Sequence, residues 1–213
     1  MFIISLKKSV ILTYLGVIFG IISMTFAFTK VAFAEINYLS YSLVFLILAG
    51  ICDMFDGKVA RKCKRTKEEK EFGIQIDSLA DTVNFVVLPV VLMLSLGMTS
   101  FIDICVYILF IICGISRLAV FNCNANLDEP VKEYTGLPVT STAIVYPLLG
   151  LVHGFVPNNI FEILSIIITF IVAVLFISKI KIPKFKKWAY IILPIIAVIV
   201  IILLLVVKRC IMI

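Results

Sequence analysis

Four aspartates at helical spacing are the residues of this chain best suited to chemistry. Asp53 and Asp56 lie in DMFDGKVAR, and Asp77 and Asp81 lie in GIQIDSLADTVN. At about 100° per residue, spacings of three and four place each pair on one face of a helix. Carboxylates gathered in one pocket repel each other unless cations neutralise them, and oxygen ligands favour Mg²⁺, Mn²⁺ or Ca²⁺. The pattern therefore predicts a divalent-metal site built by two helices that follow each other in the chain.

Small and basic residues accompany the aspartates on the same helix faces. Gly57, Ala60 and Arg61 follow the first pair, and Gly73 precedes the second. Glycines let a bulky ligand approach the backbone, and paired metal ions stabilise the attacking and leaving oxygens in phosphoryl transfer. In the structural alternative, one aspartate caps a helix and the others pair with basic residues of the 58–70 loop. Because both helices repeat the spacing, phosphate chemistry is the favoured interpretation.

The helices that position these residues lie in a very apolar chain. Of its 213 residues, 62% are hydrophobic and 15% are charged, whereas soluble domains carry about 25% charged residues. A membrane span needs about 20 residues, a few of which can be polar near its ends. The sequence therefore predicts an all-α integral membrane protein, a bundle of six to seven transmembrane helices forming one domain over residues 1–213. Its uncharged stretches are 9–29, 36–52, 82–102, 104–116, 134–161, 163–178 and 188–207.

The basic residues are distributed unevenly about these stretches. With seven spans and a cytoplasmic N-terminus, loops 58–72, 117–133 and 179–187 share one side of the membrane. That side then carries 16 of the 19 lysines and arginines, and the other side carries 3. The positive-inside rule predicts a cell-membrane protein whose aspartates face the cytoplasm. Its basic loops would meet membrane lipids, and no soluble basic domain exists to bind nucleic acid.

The two aspartate segments together resemble the signature of the CDP-alcohol phosphatidyltransferases. The eleven residues between Arg61 and Gly73 exceed the family's common spacing and are similar to its phosphatidylserine synthase branch (CDP-diacylglycerol–serine O-phosphatidyltransferase). The resemblance covers about residues 8–180, and segment 188–207 is interpreted as an accessory hydrophobic helix. The matched positions are Asp53, Asp56, Gly57, Ala60, Arg61, Gly73, Asp77 and Asp81.

This resemblance implies roles for the aspartates. Asp53, Asp56 and Asp77 would bind the metal ions, two Mg²⁺ or Mn²⁺ with Ca²⁺ as another occupant, that hold a diphosphate. Asp81 would also lie at the metals and act as general base toward an incoming hydroxyl. An ionised carboxylate near that hydroxyl can accept its proton as attack begins.

The resemblance also implies a binding site for a CDP-lipid, either CDP-diacylglycerol or its archaeal equivalent. Gly57, Ala60 and Gly73 would line the cytidine pocket, and Arg61 would contact phosphate. The expected activity is phosphatidyl transfer to an alcohol with release of CMP. A homodimer is expected on the resemblance alone.

The acceptor alcohol is predicted from two further segments, SRLAVFN and EYTGLPVTST, which resemble stretches of serine-type synthases. Arg117 could grip the serine carboxylate, and Asn122 could accept from its ammonium group. Gly136 and Thr140 lie around a proline-started helix whose exposed N–H groups suit an anion. Glycerol 3-phosphate would also use an arginine, so it and inositol stay alternative acceptors.

Two other classes of protein explain part of the pattern. A small cation transporter also carries carboxylates within the membrane, but it would spread them across the membrane depth. A scaffold protein without chemistry leaves the cost of burying four carboxylates unexplained.

Overall fold

The computed structural model describes residues 9–29, 38–123, 133–183 and 189–211. Helices dominate this part of the chain, and two strands of three residues each pair with one another. The elements, in chain order, are α1 (Ile11–Phe28), α2 (Tyr38–Lys62), α3 (Lys67–Asp81), a π-helix (Thr82–Val87), α4 (Leu88–Ser95), α5 (Phe101–Cys123), β1 (Glu133–Thr135), a 3₁₀ turn (Val139–Ser141), α6 (Thr142–Val152), α7 (Asn158–Ile177), β2 (Lys181–Pro183) and α8 (Ala189–Ile211).

Helix length and surface composition confirm the predicted all-α membrane protein. Five helices are long and apolar enough to cross a membrane, the third of them running continuously over Lys67–Ser95. Two shorter apolar helices cover Val139–Val152 and Ile192–Val206. Large apolar side chains such as Ile108 and Ile163 point outward, as expected where hydrocarbon replaces water as the solvent.

Helices α1 and α2 pack through a stripe of small residues. Gly16, Gly20, Ser23 and Ala27 of α1 are all buried. Ser23 Oγ donates to the Ser42 carbonyl at 2.7 Å, and Ser42 Oγ donates back to the Ser23 carbonyl at 2.6 Å. Small residues allow close backbone approach within membranes, and interhelical hydroxyl bonds stabilise the contact. Helix α1 therefore lies directly against the helix that carries Asp53 and Asp56.

A proline and a threonine shape the helix that carries the second aspartate pair. Pro89 has no N–H to donate to the preceding turn of this continuous helix. The Phe85 carbonyl in that turn lies 3.0 Å from Thr142 Oγ1 of α6, whose single proton it shares with the Val139 carbonyl at 2.9 Å. Hydroxyl side chains of neighbouring helices commonly satisfy such freed carbonyls in membranes. This contact fixes α6 beside the π-helix, one turn beyond Asp81.

A two-stranded antiparallel sheet joins the segment before α6 to the segment after α7. Strands β1 and β2 pair antiparallel, with Tyr134 opposite Ile182. Gly136 follows β1 with φ of +77°, and its N–H donates to the Ile180 carbonyl at 2.8 Å. A Cβ at this glycine would lie 2.6 Å from the Phe176 carbonyl oxygen. Both its backbone angle and its crowding therefore require glycine.

The last helix packs on the bundle through one face. Val200 and Leu204 of α8 are buried, and Ala197 and Ile201 are partly buried against the core. Helix α8 contacts α2 and α6, and residues of all three helices line a cavity of about 430 Å³. The fold thus surrounds that cavity with elements from both ends of the chain.

Candidate active site

Three carboxylates converge where α2 approaches α3. Oxygens of Asp53, Asp56 and Asp77 all lie within 4.8 Å of one another. Asp81 lies one turn after Asp77, and its carboxyl contacts that of Asp53. The structure therefore brings the four predicted aspartates together.

Local sequence explains why α3 starts where it does. Thr66 Oγ1 accepts from the Glu69 N–H at 3.3 Å, and Glu69 Oε2 accepts from the Thr66 N–H at 3.2 Å. This reciprocal capping box stabilises a helix N-terminus, and only a short connector separates it from the end of α2 at Lys62. The tight reversal returns α3 alongside α2 with the two aspartate faces toward each other.

Helix α1 supplies a residue that the sequence analysis missed. Thr13 Oγ1 donates to Asp56 Oδ2 at 3.2 Å, and both side chains are buried. Thr13 and Gly16 also line a cavity of about 10 Å³ beside the four aspartates, room for about one water molecule. The available signal was the spacing of small residues in TYLGVIFGIIS, which marks a close-packed face without identifying its partner.

Asn84 completes this small cavity from the π-helix. Its side chain is 3% exposed, and its Oδ1 has no hydrogen-bond partner among the described residues. A Cβ on Gly20 of α1 would overlap the Asn84 amide. The sequence places Asn84 on the same helix face as Asp77, but the glycine that makes room for it lies more than sixty positions earlier. π-Helical turns are frequent at functional sites.

A second, larger cavity opens from the aspartates. Its volume is about 430 Å³, within the usual range for ligand pockets. All four aspartates line it, together with residues from α2, α5, α6 and α8. The four carboxylates converge and form a charged end of this cavity. Arg61 and Arg117 also line the cavity, and the rest of its wall is mainly apolar.

The residues predicted for the CDP-lipid divide into two groups. Gly57 and Arg61 line the large cavity. Ala60 and Gly73 lie outside the lining of both cavities, and a Cβ on Gly73 would meet Arg65 Nη1 at 3.4 Å. The described contacts of Gly73 are therefore with the connector between α2 and α3.

Two of the four predicted acceptor residues reach the large cavity. Arg117 and Thr140 line it. Arg117 is 8% exposed, its Nε donates to the Leu137 carbonyl at 3.3 Å, and its guanidinium lies 5.5 Å from the centre of the Phe121 ring. These contacts hold a cation at the cavity wall.

Asn122 and Gly136, the other two, lie outside the cavity lining. Asn122 Oδ1 accepts from Ser78 Oγ at 2.8 Å, which ties α5 to α3. Gly136 forms the turn after β1. Acceptor contact by these two residues stays a prediction, and their described contacts are structural.

The donor set fits a divalent metal ion. Its ligand atoms are carboxylate oxygens, which suit hard cations such as Mg²⁺, Mn²⁺ and Ca²⁺. Three acidic residues are close enough to share an ion. The four carboxylates also line one cavity, whereas an ion path would distribute them across the membrane depth.

Comparison with known proteins identifies the family of this chain. Residues 9–175 match the family of the CDP-alcohol phosphatidyltransferases. The chain belongs to this family. The match begins before α1 and ends within the last turn of α7. Helix α8 therefore lies outside the part of the chain that matches the family pattern.

Curated relatives of this chain come from all three domains of life. A CDP-diacylglycerol–serine O-phosphatidyltransferase of Saccharomyces cerevisiae is 36% identical over 161 residues, 66% of this chain and 57% of the relative. One of Helicobacter pylori is 35% identical over 158 residues, 70% of this chain and 64% of the relative. An archaetidylserine synthase of Methanothermobacter thermautotrophicus is 35% identical over 147 residues, 68% of this chain and 59% of the relative. The aligned part thus spans less than two thirds of each of these relatives.

Proposed function

We propose that this protein transfers the phosphatidyl group of a CDP-lipid to the hydroxyl of L-serine and releases CMP. The observation that carries the proposal is the convergence of four aspartates at the charged end of a cavity whose remaining wall is mainly apolar. A lipid-linked diphosphate matches this cavity, because its diphosphate binds divalent metal ions and its lipid part is apolar. Serine is favoured as acceptor because relatives from yeast, bacteria and archaea carry the names of serine-type or archaetidylserine synthases.

Asp53, Asp56 and Asp77, with Asp81 beside them, would hold two divalent ions, Mg²⁺ or Mn²⁺, with Ca²⁺ as another occupant. When bound, such ions neutralise the diphosphate and stabilise charge on the attacking and leaving oxygens. The Thr13 hydroxyl fixes one oxygen of Asp56. It thereby orients that carboxylate from outside the aspartate cluster, as partners of metal-binding carboxylates commonly do.

In the proposed step, the serine hydroxyl oxygen forms a bond to the lipid-linked phosphorus. The bond from that phosphorus to the CMP oxygen breaks, and CMP leaves with the bonding electrons. Asp81 accepts the hydroxyl proton, so the products are phosphatidylserine, CMP and a protonated carboxyl. Proton acceptance by a positioned base typically contributes about 10²–10⁴-fold to the rate.

The cavity wall suggests where the two substrates bind. Gly57 and Arg61 would contact the donor, with Ala60 and Gly73 assigned to the cytidine pocket on family resemblance. Arg117 would bind the serine carboxylate, because a guanidinium presents paired donors that match a carboxylate. Thr140 lies on the same cavity wall and offers a hydroxyl to the acceptor.

The membrane orientation and the assembly belong to the same proposal. The excess of basic residues on one side supports an active site that faces the cytoplasm. A homodimer rests on family resemblance, and cross-linking in native membranes would test it. We also propose that residues 1–213 form one domain, with a core over about 8–180 and residues 188–207 as an accessory helix.

The decisive experiment measures CMP release by the purified full chain in detergent. CDP-lipid would be supplied with serine, glycerol 3-phosphate, inositol or no acceptor, with Mg²⁺, Mn²⁺ or a chelator. Ester-linked and ether-linked donors would be run in parallel. We expect metal-dependent release with serine and none after chelation. Faster CMP release with glycerol 3-phosphate or inositol than with serine would overturn the assignment of serine as acceptor. CMP release without any acceptor, or without metal, would overturn the mechanism.

A further inference from the structure

The large cavity has a wall that the family match does not include. Leu193, Ala197 and Val200 of α8 line it, although the match ends at residue 175. At about 100° per residue, these three positions and Leu204 fall on one narrow stripe of the helix. The lining part of the stripe extends about 10 Å along α8. An element outside the shared pattern thus shapes the cavity that contains the aspartates.

The chemistry of this cavity changes along its length. Four carboxylates converge in it, and Arg61 and Arg117 contribute cationic groups to its lining. Toward the N-terminus of α2, Ile51 and Ile47 line the cavity, and Ile47 lies six residues before Asp53. A ligand that fills this space must therefore have an anionic, metal-binding end and a hydrocarbon end.

Helices α6 and α8 continue the apolar wall opposite α2. Ile144 and Pro147 of α6 face the same cavity as Ala197 and Val200 of α8. Apolar walls stabilise a hydrocarbon chain through close van der Waals packing, because lipid tails outside the cavity are as apolar as the wall. Among the α8 residues on the stripe, Ala197 has the smallest side chain and leaves the most room.

We propose that α8 forms one wall of the subsite for a hydrocarbon chain of the lipid donor, and that Ala197 sets the room available to that chain. The inference rests on the proposed function, because it assigns part of the same substrate. Helix α8 is then a specificity element added to the family core, which acts on chain length and branching without touching the reacting atoms.

The test compares Ala197→Phe with the parent and with Val198→Phe. Val198 is the next residue of α8 and is 52% exposed on the outer face, so it controls for bulk at the same depth. CDP-diacylglycerols with hexadecanoyl or octanoyl chains would be assayed with serine. We expect Ala197→Phe to lower the long-to-short ratio of kcat/KM about tenfold, because the phenyl ring would overfill the space of the longer chain. Val198→Phe should keep the parent ratio, and an unchanged ratio in Ala197→Phe would overturn the inference.

Two further measurements keep the inference testable if Ala197→Phe fails to fold or if no variant turns over a donor. Leu193→Ala widens the same wall, and we expect it to favour a methyl-branched donor over a straight-chain donor. Independently of turnover, a CDP-lipid with a photoreactive group at its chain end should label residues 192–206 of the parent. Labelling confined to other helices would overturn the role of α8, whereas labelling of α8 without CMP release would overturn the proposed function alone.

Discussion

At the scale of single residues, the four aspartates share one cavity but have different neighbours. Asp56 accepts from Thr13 of α1. Asp81 contacts Asp53 and lies outside the closest group of three. These differences predict different consequences for the same chemical change.

Asp81→Asn keeps the side-chain volume and one oxygen but removes the ability to accept a proton. We expect turnover to fall about 10²–10⁴-fold while donor and metal binding stay close to the parent values. Asp53→Asn should instead weaken metal and donor binding together. Binding of labelled CDP-lipid and metal titration of the rate would separate the two.

Asp103→Asn is the matched control for both changes. Asp103 is buried and forms a reciprocal capping pair with Ser100 at the start of α5: its Oδ2 accepts from the Ser100 N–H at 2.9 Å, and its N–H donates to Ser100 Oγ at 3.3 Å. The amide oxygen of asparagine can accept the same bond. Its variant should keep parent turnover. If Asp81→Asn retained more than about a tenth of the parent rate, the assignment of Asp81 as general base would fail.

Thr13→Val tests the contribution of α1 to the metal site. It removes the donor to Asp56 while preserving side-chain shape, and a hydrogen bond to a charged group is worth roughly tenfold or more in an equilibrium constant. We expect the metal concentration for half-maximal rate to rise about tenfold. Thr25→Val removes only a hydrogen bond within α1, from Thr25 Oγ1 to the Ile21 carbonyl. The metal dependence of this variant's rate should therefore equal that of the parent. Equal effects in both variants would indicate a general loss of α1 packing.

At the scale of elements, the helix over Lys67–Ser95 joins the site to the bundle. This helix begins at a capping box, and its π-helical turn carries Asn84. Its proline frees the Phe85 carbonyl, which accepts a hydrogen bond from α6. The same helix therefore presents Asp77 and Asp81 and anchors the helix that forms the opposite cavity wall.

The link between Pro89 and Thr142 predicts a measurable coupling. Thr142→Val leaves the Phe85 carbonyl without its interhelical donor, and we expect a loss of about 1–3 kcal/mol in unfolding free energy. Pro89→Ala supplies a backbone N–H to the same turn. In the Pro89→Ala background, Thr142→Val should lower the unfolding free energy clearly less than it does in the parent. A double-mutant cycle in detergent would measure this difference. Additive effects would show that the two residues act independently.

At the scale of the whole molecule, hydrogen bonds tie together the segments that connect the helices at one end of the bundle. Arg117 bonds to the carbonyl of Leu137, and Gly136 bonds to that of Ile180. The charged end of the large cavity lies among these segments. If the basic loops are cytoplasmic, both substrates reach the aspartates from that side.

Accessibility labelling of Gly57→Cys tests this orientation. In a background whose six native cysteines are replaced, a membrane-impermeant thiol reagent should label this variant only from the cytoplasmic side. CDP-lipid with metal should protect it, because Gly57 lines the cavity. Thr99→Cys, in the exposed connector between α4 and α5, should be labelled from the opposite side. Reversal of the two patterns would overturn the topology.

The sequence by itself determined the membrane character and the aspartate faces. Both are local properties, since hydropathy is read over about 20 neighbouring residues and a helical face over three or four. Asp53 and Asp56 on one helix, with Asp77 and Asp81 on the next, could therefore be expected to meet once a short connector reversed the chain.

Only the tertiary structure decided which distant residues complete the site. Thr13 bonds to Asp56 across 43 positions, and Ser78 bonds to Asn122 across 44. Neither pair has a local pattern, so the sequence alone predicts neither of these two bonds. The place of helix α8 could not be predicted from the sequence for the same reason. Its apolar stripe predicts packing, but its position beside the aspartate cavity depends on how all the helices assemble.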